Sequence, residues 1–93
     1  MAKLNELLPD QTKAFFAFHK EVFKEGEIDK KMKELIAVGV SNAILCVPCI
    51  ESHSQKARAL GCTDKQIAEA IAVAAVVRTG SVLTHAEHAF PEE

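Results

Sequence analysis

The chain is predicted to be all-α, and three observations carry that expectation. Apolar residues recur at helical spacing in one segment after another. The composition is 48% hydrophobic but only 5% aromatic, without Trp or Tyr, so any core must be built from Ala, Val, Ile, Leu and five Phe. Such side chains suit close helix packing. Four Gly and three Pro also leave too few turn-forming residues for the many reversals of a β fold. At 93 residues, the chain (1–93) reads as one domain, near the lower limit of what a single core holds together.

Four helical segments follow in order. Pro9 and Asp10 precede the first, which runs to about Glu25. Phe15, Phe18, His19 and Val22 share one face of it, and Gly26 stops it. Asp29 is placed to cap the second segment, where Met32, Leu35, Ile36, Gly39, Val40 and Ala43 form an apolar stripe with Glu34 beside it. Pro48 has no N–H and disfavours the α region at Val47, so it should break the chain and sit in the first turn of a third helix. That helix is expected to reach Leu60, with Gly61 as its C-terminal stop.

Thr63-Asp64-Lys65-Gln66 matches a capping box for the fourth helix. Between Ile67 and Val77 this helix is apolar all round except at Glu69, and such a helix must be covered on every side. Three partner helices of this size cannot easily do that, so an oligomer is expected. Gly80-Ser81 interrupts the pattern, and Val82–Ala89 reads as a short final helix.

Charge narrows the function classes. Net charge is −2, and no basic cluster exceeds Lys30, Lys31 and Lys33, so nucleic-acid and anionic-membrane binding find no support. The N-terminal residues resemble no signal peptide. The longest apolar run, Ala70–Val77, falls short of the roughly 20 residues of a membrane helix. These features lead us to expect a soluble, cytoplasmic protein. Three cysteines make an odd number, which argues against a secreted disulfide framework and for redox or metal chemistry.

The chemistry concentrates in Glu34-x11-Cys46-x2-Cys49-x3-His53. Cys49 would lie in the first turn of the third helix, where exposed N–H groups and the dipole favour a thiolate. His53, one turn on, can act as its base, and Glu34 from the preceding helix can orient that base. The alternative is a structural zinc site using Cys46, Cys49 and His53, with Glu34, His85 or His88 as fourth ligand. Cys62 reads as a small filler in a turn, His19 as a partly buried structural histidine, and His85 and His88 as a solvated helix end.

These residues resemble the AhpD-like alkylhydroperoxidases of the carboxymuconolactone decarboxylase superfamily. The match extends from about residue 9 to 89, through Lys33–Ser41, Ala57-x3-Gly61-x-Thr63, Ile67-Ala68-Glu69-Ala70 and Gly80…His85-Ala86. The resemblance implies an all-helical subunit assembled as a trimer or hexamer. It also implies a cysteine pair that reduces peroxides or disulfides without a bound cofactor and is re-reduced by a dithiol donor of thioredoxin-like or lipoyl type. Within that resemblance Cys49 is the peroxide-reacting thiol, Cys46 resolves it, and Glu34 and His53 relay the proton. Well-known members carry histidine directly before the second cysteine, whereas this chain has Pro48. The Pro-Cys order is similar to thioredoxin-type sites, where the first cysteine (here Cys46) attacks, and it makes general disulfide reduction a variant of the function. A redox-inert enzyme of the decarboxylase type, acting on a lactone or small acid, is the remaining alternative.

Overall fold

Proline sets the first helix boundary. A computed structural model describes residues 1–90, in which Ala2–Leu7 forms α1 and Pro9–Phe23 forms α2, with Pro9 in the first turn of the latter. The helix α1 was not expected, because six residues are too few for a periodic stripe. Ala2, Lys3, Leu4, Glu6 and Leu7 are good helix formers, however, and Pro9 ends the run. Buried Thr12 turns its hydroxyl back to the Leu8 carbonyl at 2.9 Å, inside the first turn of α2. His19 stacks on Phe23 with ring centroids 4.5 Å apart, in keeping with a half-buried structural histidine. The chain divides into two units, Met1–Lys30 and the remainder from Lys31.

The second unit comprises α3 (Lys30–Ala43), α4 (Val47–Ala59), α5 (Asp64–His85) and a 3₁₀ turn at Ala86–Ala89. Every regular element among the described residues is helical, as the composition implied. The core of this unit is small: Val38, Ala57, Cys62 and Ile67 are buried, with Leu35 packed against them. Cys62 is thus a core filler, as its position in the turn suggested.

Helix ends do much of the positioning. Gly61 (φ +94°) follows the C-cap of α4, while the Gly61 N–H reaches Arg58 O at 2.9 Å and the Cys62 N–H reaches Ala57 O at 2.9 Å. This paired C-terminal motif satisfies carbonyls the helix leaves open and draws Cys62 into the core. Thr63 and Gln66 then form the expected reciprocal capping box at 3.1 and 2.9 Å.

Two expectations about α5 are corrected. The helix continues through Gly80-Ser81 to His85, and only Ala86–Ala89 stands apart, as a 3₁₀ turn. A glycine inside a helix costs about 1 kcal/mol relative to alanine, too little to stop a long helix that contains no proline. The second correction follows. With the 3₁₀ turn, α5 is a continuous 26-residue segment, long and apolar enough to cross a membrane by length and composition alone. The uninterrupted apolar run Ala70–Val77 stops at Arg78, but the helix carries on past it.

Candidate redox site between α3 and α4

The junction between α3 and α4 is built from two helix ends that share one residue. Beyond Ala43, the Leu45 N–H donates to Asn42 O at 3.2 Å and the Cys46 N–H to Ser41 O at 3.0 Å, the same paired motif that closes α4. The residue that must turn left-handed is here Leu45, with φ +59°. That conformation costs a residue bearing Cβ about 1–2 kcal/mol. Cys46 then takes extended backbone angles as the N-cap of α4, and its carbonyl accepts the Ile50 N–H at 2.9 Å. Its N–H belongs to the end of α3 and its C=O to the start of α4, so its backbone is held from both sides.

Val47 is the first residue of α4 and Pro48 the second, so Pro48 sits in the first turn as expected, although Val47 itself is helical. Cys49 follows in the same turn, and its N–H donates to Cys46 Sγ at 3.3 Å. Cys46 and Cys49 form a disulfide with Cα atoms 5.2 Å apart, inside the usual disulfide range. Both cysteines are half-buried. The cysteine therefore fills the capping role usually taken by Ser, Thr or Asp, with sulfur accepting the amide hydrogen.

One turn further along α4, His53 meets Glu34. His53 Nδ1 lies 2.7 Å from Glu34 Oε2, and Glu34 is only 6% exposed. A carboxylate accepts only, so the contact places a hydrogen on Nδ1 and directs proton exchange to Nε2. Burying a carboxylate is costly without such a partner. The structure thus brings together two pairs, Cys46 with Cys49 and Glu34 with His53, both carried by the first two turns of α4 and the facing α3.

Other candidates stand elsewhere. His85 and His88 contact each other, with ring centroids 5.5 Å apart, at the end of α5. Among the described residues no three His, Cys, Asp or Glu side chains gather as a metal-binding group. A zinc module would need both cysteines as separate thiolates, whereas here the two sulfurs are bonded to each other. Sequence reasoning overlooked Leu45 and the carbonyl of Ser41. No local signal marks them, since leucine is a poor residue for the conformation that Leu45 adopts.

A model of the carboxymuconolactone decarboxylase family matches residues 9–92. The chain belongs to this family. The superfamily resemblance read from Glu34, Cys46, Cys49 and His53 is thereby borne out. The uncharacterized protein 4 in the cox locus of Paracoccus denitrificans is 49% identical over 76 residues, spanning 82% of this chain and 68% of that one. A solved protein from Methanobacterium thermoautotrophicum superposes with a TM-score of 0.86 at 38% identity, covering 91% of this chain and 96% of its own. A family protein from Thermotoga maritima, suggested to take part in an antioxidative response, has a TM-score of 0.70 at 33% identity, covering 87% and 84%.

Proposed function

We propose that this family member is a cytoplasmic thiol–disulfide oxidoreductase that reduces hydroperoxides or disulfides through Cys46 and Cys49. The reading rests on one observation above all: a disulfide capping α4 stands one turn from a histidine held by a buried carboxylate. A purely structural disulfide needs no such base. The suggested antioxidative role of the Thermotoga maritima relative agrees with it.

In the reduced protein the Cys49 thiol gives its proton to His53 Nε2, directly or through Cys46 or a water, while Glu34 steadies the imidazole. The Cys49 thiolate attacks the peroxide, the O–O bond breaks, and the alkoxide leaves with the proton held on His53. Cys49 is then a sulfenic acid. The Cys46 thiol attacks that sulfur, forming the disulfide and releasing water with its own proton. Two thiols and one hydroperoxide become one disulfide, one alcohol and one water.

A dithiol donor closes the cycle. Its thiolate attacks Cys49 and expels Cys46, whose developing charge accepts the Cys49 N–H at the positive end of α4. The donor's second thiol then forms the donor's own disulfide and frees Cys49. The same steps reduce an external disulfide when run with the electrons flowing outward.

Thiol alkylation and mass spectrometry test the proposal. Cys46 and Cys49 should be alkylated after treatment with a dithiol and protected after one equivalent of hydroperoxide. Cys46→Ser should accumulate sulfenic acid at Cys49. A pair that stays reduced under excess peroxide and oxidised carrier would end this reading, and sulfenic acid trapped at Cys46 in Cys49→Ser would reverse the two roles.

A further inference from the structure

We infer that a cavity between the end of α3 and the middle of α5 holds the carboxylate end of a small substrate of the Cys46–Cys49 pair, an inference that rests on the redox reading proposed above. The cavity has a volume of about 260 Å³. Its walls include Asn42, Ala43 and Leu45 on one side and Ile71, Ala74 and Arg78 on the other. All of these residues belong to the unit from Lys31 onward. Ile71, Ala74 and Arg78 fall at i, i+3 and i+7, so they share one face of α5 and span about 10 Å along it.

Charge selects the ligand. Arg78 is the only Asp, Glu, Lys or Arg between Glu69 and Glu87, so one guanidinium stands on an otherwise uncharged stretch of helix. An arginine beside a helix C-terminus often serves the open carbonyls there. At the end of α3, however, the Val40, Ser41 and Asn42 carbonyls already accept the N–H groups of Ile44, Cys46 and Leu45 at 3.0, 3.0 and 3.2 Å. Among the described residues, no ion pair or hydrogen bond holds the Arg78 guanidinium. Its planar fork of donors is therefore unspent at the edge of an apolar cavity, and such a fork matches a carboxylate two-pronged. A bare phosphate would satisfy the fork but has no body to lie against Leu45, Ile71 and Ala74.

Leu45 ties the cavity to the chemistry. It lines the wall, and Cys46 is the next residue, with neighbouring Cα atoms about 3.8 Å apart. Its φ of +59° is a conformation that glycine adopts freely and leucine only at a cost. A side chain kept there has a use as a wall beside the disulfide. The volume lies just under the roughly 300 Å³ at which small-molecule sites usually begin, so a short chain fits better than a large ligand. With a disulfide as substrate, a thiolate of the reduced pair attacks one of its sulfurs and expels one small thiolate. The second protein thiol then attacks the mixed disulfide and expels the other, and the two protein protons pass to the leaving thiolates. Two protein thiols and one small disulfide become the Cys46–Cys49 disulfide and two small thiols.

The test compares two small disulfides on the same reduced protein in single-turnover reactions: dithiodipropionate, which carries carboxylates, and neutral hydroxyethyl disulfide. Their rate ratio makes each variant its own reference, so a general loss of reactivity cancels. Arg78→Gln should shift the ratio against dithiodipropionate by about tenfold, the scale of one charge-assisted hydrogen bond. Arg78→Lys keeps the charge without the fork and should recover only part of that loss. An unchanged ratio in Arg78→Gln would overturn the inference and leave the redox reading standing. Full recovery in Arg78→Lys would also overturn it, since long-range attraction would then suffice. If the wild type reacts with neither disulfide, the redox reading fails, and binding decides the cavity separately. Suberate, the unreactive carbon analogue of dithiodipropionate, should shift the backbone amide resonances of Leu45, Ile71 and Ala74 in the oxidised wild type but not in Arg78→Gln. No shift at those amides, or equal shifts with inorganic phosphate, would overturn the inference.

Discussion

Glu34 and His53 depend on each other for different reasons. The carboxylate is buried and needs a donor; the imidazole needs its ring orientation fixed. Under the proposed mechanism His53→Ala should slow peroxide reduction by about 10²–10⁴-fold, the usual contribution of a positioned acid–base group. It should also lower stability by about 3 kcal/mol by stranding the buried carboxylate. Glu34→Gln keeps the volume and removes the charge, so it should slow the rate with a smaller loss in chemical denaturation. A rate unchanged near neutral pH in His53→Ala would remove the relay. Leu45 offers a second check at this scale. Its left-handed backbone is strained and its side chain is 79% exposed, so little burial is lost on truncation. Leu45→Gly should raise stability by about 0.5–1 kcal/mol, the strain relieved less the entropy glycine brings to the unfolded chain. A lower melting temperature would instead mean that the leucine side chain is covered in the assembled protein.

Two glycines with opposite roles test the assignment of the helices. Gly80 lies inside α5 with nothing within 4 Å of an added Cβ. Gly80→Ala should therefore stabilise by up to about 1 kcal/mol and raise the melting temperature by several degrees. If the helix instead broke at Gly80-Ser81, the substitution would bring no such gain. Gly61 also has open space around it, but its φ of +94° disfavours any Cβ. Gly61→Ala should cost about 1–2 kcal/mol and loosen the turn that carries Cys62 into the core. Thermal unfolding of the two variants side by side checks both signs.

Taken whole, the second unit buries few apolar side chains while α5 leaves Val73, Val76, Val77, Val82 and Leu83 exposed. Most of the apolar surface that would ordinarily stabilise a small domain is therefore still available for association. A homotrimer or homohexamer, the assembly the family resemblance implies, would use it. Its melting temperature should rise with protein concentration, because dissociation accompanies unfolding. A melting temperature constant over a hundredfold dilution would show that folding does not depend on the partner copies.

Periodicity and punctuation made most of the fold legible. Pro9, Pro48, Gly61 and the Thr63–Gln66 box mark helix ends by local stereochemistry, and local rules apply whether or not the rest of the chain is present. The spacing of Cys46, Cys49 and His53 likewise follows from one helical turn. Three things could not be read locally. Whether Gly80-Ser81 ends a helix depends on the summed preference of a long segment, in which one weak residue is outvoted. Whether Glu34 reaches His53 depends on how α3 and α4 pack across a sequence separation of nineteen residues. And Leu45 turns left-handed against its own preference because two helix ends must share Cys46, a constraint that exists only once both helices have formed.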